Sequence, residues 1–179
     1  MNTEEIVEAV GEELFFDREV NVYAILDGAA IPNLLDKLYD LSPVFCCLFR
    51  GELAPDMAEV APYLVQIEEG AEFTDWLIGQ GWGNHWGVYV LSDTDFRAMR
   101  RHFRTFLIVY DDTGRPLRFR YYDPRVLRLY LPTCNAKELR TVFGPVASFL
   151  LESEEANQAM QFRVAGETLK EEKFALAEV

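Results

Sequence analysis

The sequence is poor in the side chains that build most catalytic and metal-binding sites. It contains three cysteines and two histidines among its 179 residues. Cys46 and Cys47 are adjacent, so on a strand they would point to opposite faces, and neither they nor Cys134 belong to a C-x-x-C pair. The pattern predicts neither a zinc site nor a disulfide framework. We therefore expect no cofactor or metal, and we expect free thiols in a reducing compartment.

Long apolar runs are missing as well. No run approaches the roughly 20 residues that a membrane helix needs, and the acidic start at residues 1–5 lacks the basic and apolar parts of a signal peptide. We therefore expect a cytoplasmic protein without a membrane span. The composition, 50% hydrophobic and 13% aromatic, predicts a well-packed core. The length suits one domain, or two lobes forming a cradle, divided near residues 91 and 92.

Positive charge is scarce, with 17 basic against 30 acidic residues. The net charge of −13 argues against nucleic acid as a partner, because phosphate backbones would be repelled. The basic residues nevertheless crowd the middle of the chain, while acids dominate both ends. They are Arg97, Arg100, Arg101, Arg104, Arg115, Arg118, Arg120, Arg125, Arg128, Lys137 and Arg140. Because guanidinium groups pair with carboxylates and are common at interfaces, this zone either neutralises internal acids or faces an acidic partner.

The alternation of apolar segments with turn residues predicts an α/β fold in which helices pack on a mixed sheet. A strand at residues 21–26, a helix from about residue 31 and a strand at residues 44–49 are typical of a parallel βαβ unit. Residues 105–110 and 117–122 predict a hairpin. The other predicted strands lie at 62–67, 88–91, 147–151 and 160–164. The other predicted helices lie at 3–16, 73–80 and 136–142, with one opened by a near capping box at residues 92–95, one from about residue 124 and a loose helix after residue 167.

The most informative stretch is residues 118–127. It reads as a strand that runs into a capped helix, since Asp123 is a typical N-cap and Pro124 suits the first helical position. Arg125 then places a cation in the first turn, against the helix dipole, so a nearby carboxylate should compensate it. One interpretation is an internal arginine–aspartate clamp that fixes the turn. The other is that Arg118, Arg120 and Arg125 face a partner protein.

An enzymatic interpretation has little support in the sequence. No serine lies in a G-x-S-x-G motif, and the turn after Asp27 lacks both a glycine-rich phosphate loop and its lysine. The remaining alternative is a small hydrolase or transferase that uses Asp27, His85 and Asp123. It predicts a deep pocket that holds these side chains together. Ion pairs between the aspartates and Arg104, Arg120 or Arg125 would count against it.

An aromatic cluster lies in the first half of the chain. One interpretation of this cluster is ordinary core packing. The other is an apolar groove that binds a segment of a partner protein. In that case the acidic tail after residue 167 would cover the groove until the partner displaces it. The members of the cluster are Phe73, Trp76, Trp82, Trp86 and Tyr89.

Six short motifs occur in an order that is similar to one known family. They are LDGA at 26–29, PYLV at 62–65, WG at 86–87 with LS at 91–92, HFR at 102–104, FRYYDPRVL at 119–127 and FGP at 143–145. In these motifs the chain resembles the effector-adaptor chaperones of bacterial type VI secretion, the Tap or Tec proteins. The resemblance covers roughly residues 22–150, and the YDPR segment is its most specific part.

The resemblance implies a non-enzymatic adaptor chaperone that stays in the cytoplasm. Such a protein binds a secreted toxic effector and helps load it onto the valine-glycine-repeat spike protein, VgrG. It implies an adaptor domain over residues 1–150, with 151–179 a variable acidic segment. An immunity-type protein that neutralises a toxin is a further alternative. The residues expected to form the partner-binding or scaffold motif are Trp82, Trp86, Arg104, Arg118, Arg120, Tyr122, Asp123, Pro124 and Arg125.

Overall fold

The computed structural model describes residues 2–155 and 157–176. Its elements alternate along the chain and end in a run of strands. In order they are α1 Thr3–Phe15, β1 Asn21–Asp27, α2 Leu34–Leu41, β2 Phe45–Cys47, α3 Pro55–Glu59, β3 Pro62–Ile67, α4 Glu72–Gly81, β4 Gly87–Ser92, α5 Phe96–Phe103, β5 Ile108–Tyr110, β6 Pro116–Arg118, α6 Pro124–Tyr130, a 3-10 turn Leu131–Thr133, α7 Ala136–Phe143, β7 Ser148–Glu152, β8 Gln158–Ala165 and β9 Thr168–Ala175.

Seven of the strands form one sheet in the order β2–β3–β1–β4–β7–β8–β9. Every pairing within it is antiparallel. Strands β5 and β6 form a separate two-stranded hairpin, as predicted. The α/β class, with helices packed on a sheet, is confirmed.

The predicted parallel pairing of the first two strands is wrong. Strands β1 and β2 run in the same direction, but β3 lies between them and is antiparallel to both. The sheet is therefore antiparallel rather than mixed. The apolar pattern of β3 marks it as a buried strand without indicating its neighbours, because pairing depends on contacts between distant parts of the chain.

Both faces of the sheet are covered by helices, which explains why its strands read as continuous apolar runs. Along β1, Tyr23 and Ile25 belong to one core, whereas Ala24 and Leu26 belong to the other. The first core is completed by α5, α6 and α7, and the second by α1, α2 and α4. The molecule is thus a three-layer α/β/α structure. No helix within the described ranges has the length and apolar character required to cross a membrane.

The acidic tail does not form the predicted helix. Residues 168–175 are strand β9, which pairs with β8 along its whole length and closes one edge of the sheet. Near the two ends of β9, Leu169 packs against one core and Phe174 against the other. The residues between them, 170–173, are all charged. Charged residues are common on edge strands because they discourage pairing with another chain. The tail is thus part of the sheet, and residues 177–179 lie outside the described part.

Candidate functional site

The turn before α6 joins the hairpin to the core. The predicted strand through residue 122 is too long, since β6 ends at Arg118 and the Asp123 amide donates to the Arg120 carbonyl in a turn. Tyr121 and Tyr122 are consequently both buried instead of alternating. The Tyr121 hydroxyl donates to the carbonyl of Phe103, at 2.7 Å, and anchors the turn against α5.

The start of α6 has the predicted cap. The Asp123 carboxylate accepts from the Arg125 amide at 3.0 Å, and Pro124 occupies the first turn of the helix. The Arg125 guanidinium also donates to both Asp123 oxygens, at 3.0 and 2.8 Å. The carboxylate expected to compensate Arg125 is therefore Asp123 itself. Burial favours the neutral acid, but the hydrogen bonds from Arg125 outweigh it and lower the pKa of Asp123.

Arg120 connects this cap to the end of β1. Its guanidinium donates to the Asp27 carboxylate and lies 3.6 Å from that of Asp123. Asp27 is 1% exposed and Asp123 is 3% exposed, whereas the Arg120 side chain is 47% exposed. The hydrogen bond from Arg120 to Asp27 raises the pKa of the guanidinium. Burial and the charge of Asp27 raise the pKa of nearby Tyr122, against the opposing effects of Arg120 and Arg118.

The strand β1 and the turn after it approach their neighbours too closely for larger side chains. A Cβ on Gly28, next to Asp27, would lie 2.5 Å from the carbonyl oxygen of Ala61. A Cβ on Gly87 would lie 2.3 Å from the carbonyl oxygen of Ile25. Glycine at both positions therefore lets the backbone bring Asp27 and the loop before β4 to the same end of the sheet.

A second pair of an acid and a base, Glu152 and His85, lies near Arg125, and the sequence analysis did not predict it. Glu152, at the end of β7, is 4% exposed and accepts from the amides of Gly83 and His85, at 2.6 and 3.1 Å. It also contacts Nδ1 of His85. Burial raises the pKa of Glu152, and His85 and the two amides offset part of that effect. The available signal was an acid placed directly after the buried run Phe149, Leu150 and Leu151.

The residues of the hydrolase alternative lie at one end of the sheet but are engaged with other groups. Asp27 and Asp123 are bound to arginines, and the ring of His85 contacts Glu152. The cavity that Glu152 lines is only about 10 Å³, room for at most one water molecule. Within residues 2–155 and 157–176, no group of acids, histidines and cysteines has the arrangement of a metal site. These contacts count against the hydrolase alternative.

The aromatic cluster is mainly core packing. Trp82 is 7% exposed and stacks on Tyr89 with ring centroids 6.1 Å apart. Trp76 and Trp86 are half-buried and lie 5.2 Å apart. Trp82 and Tyr89 line the same small cavity as Glu152, which leaves no room there for a partner segment.

Arg104 fixes the free edge of the sheet. It donates to the carbonyls of Cys47, Leu48 and Phe49, at 2.7, 3.1 and 3.2 Å, just where β2 ends. Arg118 lies over the ring of Phe49, with 4.8 Å between the guanidinium carbon and the ring centroid. The two arginines therefore meet at the segment that follows the edge strand.

Helix α5 begins later than predicted, because Ser92 belongs to β4 and the cap is Asp95, whose carboxylate accepts from the Ala98 amide. The helix separates apolar from basic side chains. Met99 and Phe103 point into the core, while Arg97, Arg100 and Arg101 are exposed. With Arg104 they follow the spacing i, i+3, i+4, i+7, which places all four arginines on one side of the helix. Among the residues described, the three exposed arginines form no ion pair or side-chain hydrogen bond. We call this set, extended by Arg118, the arginine track: Arg97, Arg100, Arg101, Arg104 and Arg118.

The hairpin of β5 and β6 presents apolar side chains to solvent. Ile108, Val109, Tyr110 and Leu117 are 54%, 36%, 70% and 45% exposed. Val109 lies opposite Leu117, whereas Ile108 and Tyr110 belong to the other face. The Asp111 carboxylate accepts from the amides of residues 113 and 115 and fixes the connecting turn. The hairpin thus carries exposed apolar groups on both of its faces.

The fold and these contacts define a three-layer α/β protein in which each buried acid of the described part contacts a basic side chain. Within the same part, Arg97, Arg100 and Arg101 form no ion pair. The model of the family described as "Domain of unknown function (DUF4123)" matches residues 22–141. This match spans more than half of the chain, so the protein belongs to that family. Searches of curated proteins and of solved structures found no match.

Proposed function

We propose that the protein is a non-enzymatic adaptor chaperone that binds a secreted type VI effector and helps load it onto the VgrG spike protein. The observation that carries the proposal is the exposed apolar hairpin formed by β5 and β6. The ordered motifs of the adaptor family add to it, since most of them fall within residues 22–141.

The hairpin suits a surface that a partner covers. A hairpin of three residue pairs is marginally stable alone in water, and here four of its six strand residues are exposed apolar groups. Exposed large apolar side chains gathered on one small element are typical of interaction sites. Full burial of one such side chain contributes about 1.5–3 kcal/mol, so a partner that covers several of them gains a useful share of its affinity.

The motif residues around Asp123 suit a scaffold role in such a protein. Asp27 and Asp123 are held by Arg120 and Arg125, which fixes the direction in which the chain leaves the hairpin and enters α6. A rigid base positions an exposed hairpin before binding, and this reduces the conformational entropy lost on association. The acids thus serve the binding surface without taking part in a reaction.

The test uses the tagged full chain in a bacterial strain that carries the secretion cluster. We expect purification of the chain to recover an effector and the spike protein, and we expect deletion of its gene to stop secretion of that effector. A Tyr110→Ser/Leu117→Ser variant should lose most of the recovered effector or spike protein while remaining folded.

The matched control is Leu129→Ser. Leu129 lies on α6 and is 70% exposed, as is Tyr110, but it is outside the hairpin. This variant should recover the partners as well as the unmodified chain does. If neither an effector nor the spike protein is recovered, and secretion continues in the deletion strain, the proposal is wrong.

A further inference from the structure

We infer that the arginine track, together with the adjoining hairpin, binds an acidic, amphipathic segment of a partner polypeptide. This inference rests on the proposed function in taking the partner to be a protein. It adds the chemistry of the recognised segment, with carboxylates along one part and apolar side chains beside them.

The first argument is that three arginines of the track form no ion pair within the described part of a protein rich in acids. The chain has 30 acidic residues, yet within the described part none forms an ion pair with Arg97, Arg100 or Arg101. Like charges at i, i+4 destabilise a helix, and Arg97 and Arg101 have that spacing. An external acidic segment would remove this repulsion.

The second argument is continuity between the charges and the apolar hairpin. Arg104 binds the carbonyl of Phe49, and Arg118 lies over the ring of the same residue. Arg118 is also the register partner of Ile108, one of the exposed apolar residues of the hairpin. The track therefore leads from α5 to the base of the hairpin. A segment lying along it would meet arginines first and apolar side chains next.

The third argument selects a polypeptide over nucleic acid. A duplex carries one negative charge about every 1.7 Å of its length, so it would extend past the track toward the rest of a protein of net charge −13. A short acidic segment contacts the track alone. The track is built entirely of arginine, whose planar fork matches carboxylates in a bidentate manner.

The acidic tail of this chain is not the occupant. Strand β9 holds residues 168–175 at one edge of the seven-stranded sheet, whereas Arg104 contacts the end of β2 at the opposite edge. Two acids of the tail already form ion pairs elsewhere, Glu167 with Arg140 on α7 and Glu172 with Arg163 on β8.

The experiment combines charge reversal with crosslinking in the strain that carries the secretion cluster. A photo-crosslinking amino acid replaces Arg101 in the tagged full chain, and in a second chain it replaces Arg163, which lies on β8 away from the track. We expect crosslinks from position 101 that map to a segment of the effector or spike protein rich in Asp and Glu. We expect none above background from position 163.

Charge reversal provides the quantitative arm. The Arg97→Glu/Arg101→Glu variant should reduce the recovered partner about tenfold or more at physiological salt, a change equal to about 1.4 kcal/mol or more. The control is Arg140→Glu/Arg163→Glu, which changes the net charge equally at two exposed positions. It should recover the partner normally. The Arg97→Lys/Arg101→Lys variant keeps the charge without the guanidinium fork and should lie between the two.

The outcomes separate this inference from the proposed function. Equal recovery of effector and spike by the original chain and the Glu variant, or crosslinks to a neutral or basic segment, overturns the inference and leaves the adaptor function standing. Binding of a labelled 20-base-pair DNA duplex that the Glu variant loses also overturns it, in favour of nucleic acid. An acidic segment crosslinked in a protein that is neither effector nor spike supports the inference and contradicts the adaptor function.

Discussion

Arginine has different roles in two regions of the molecule, the ion-pair network before α6 and the arginine track along α5. In the network, Arg120 and Arg125 serve Asp27 and Asp123, two acids that are almost completely buried. On the track, Arg97 and its neighbours face solvent without acids. Because an ionised carboxylate is costly to bury unless it is paired, the buried acid turns its arginine into a structural counter-ion. Where no acid is buried, the arginine remains available to a partner.

The largest effect on stability should come from Arg120→Ala. This change leaves the carboxylate of Asp27 buried at 1% exposure with only the amide of Ala29 as a hydrogen-bond donor. Removing one member of a buried pair typically costs 3–5 kcal/mol, and the partial exposure of Arg120 favours the lower end, about 3 kcal/mol. Urea unfolding at pH 7 measures it. A loss of stability below about 1 kcal/mol would show that Arg120, like the arginines of the track, contributes little to the fold.

Asp123→Ala should have the next largest effect. It removes the helix cap, about 1 kcal/mol, and the paired hydrogen bonds from Arg125, about another 1 kcal/mol. Asp123→Asn should cost less, because asparagine still caps a helix. Thermal melting curves of the two variants and the unmodified chain show which substitution lowers the melting temperature more. Equal stability of Asp123→Ala and the unmodified chain would show that the cap and the clamp contribute nothing.

A smaller, pH-dependent effect should arise from His102, on the inner side of α5. Its ring contacts the carbonyl of Val142 at 2.8 Å, and burial lowers its pKa, although that contact acts in the opposite direction. The unfolded chain therefore binds a proton before the folded chain does, and stability falls as the pH drops below about 6.5, until the ring is also protonated in the fold. The loss from this group cannot exceed about 1.4 kcal/mol per pH unit.

The NMR titration of the ring protons measures this shift directly, because the chain has only two histidines. We expect the midpoint for His102 to lie below about 6.5, the ordinary value. In Gly144→Ala, the new Cβ would be placed 2.5 Å from the His102 ring, so this variant should disturb the same signal. A midpoint above about 6.5 in the unmodified chain would contradict the lowered pKa of His102.

The smallest effect should come from the track. Arg97→Gln/Arg101→Gln removes two exposed cations without ion pairs, so the free energy of unfolding should change by less than about 0.5 kcal/mol. The change should favour stability, because repulsion between the two positions is removed. Denaturant unfolding of this variant and of Arg120→Ala under the same conditions compares the contributions of the two regions to stability. A loss of more than about 1 kcal/mol would show that the track also serves the fold.

Local features could be predicted from the sequence because each depends on neighbouring residues. The cap at Asp123, the compensated Arg125 and the hairpin were all predicted, as were most strands to within a few residues. The strand through residue 122 was predicted too long, since alternation of Phe119 and Tyr121 with polar residues does not reveal that Tyr122 is buried by contacts outside the segment.

The missed features depend on distant residues. The insertion of β3 between β1 and β2 and the pairing of β9 with β8 require knowledge of which strands meet. The partner of His85 is Glu152, separated from it by 67 positions in the chain. The spacing of the four arginines on α5 does place them on one helix side, but their lack of acidic partners is a property of the whole packed molecule.

Local sequence patterns were enough to predict most of the helices and strands, the start of α6, and the concentration of cations in the middle of an acidic chain. These follow from side-chain periodicity, caps and charge, which act over a few residues. Which arginines are counter-ions and which are free of acidic partners could not be predicted without the packing of the whole molecule. That division depends on whether folding carries a carboxylate out of water beside the arginine, and desolvation is a consequence of packing between segments far apart in the chain.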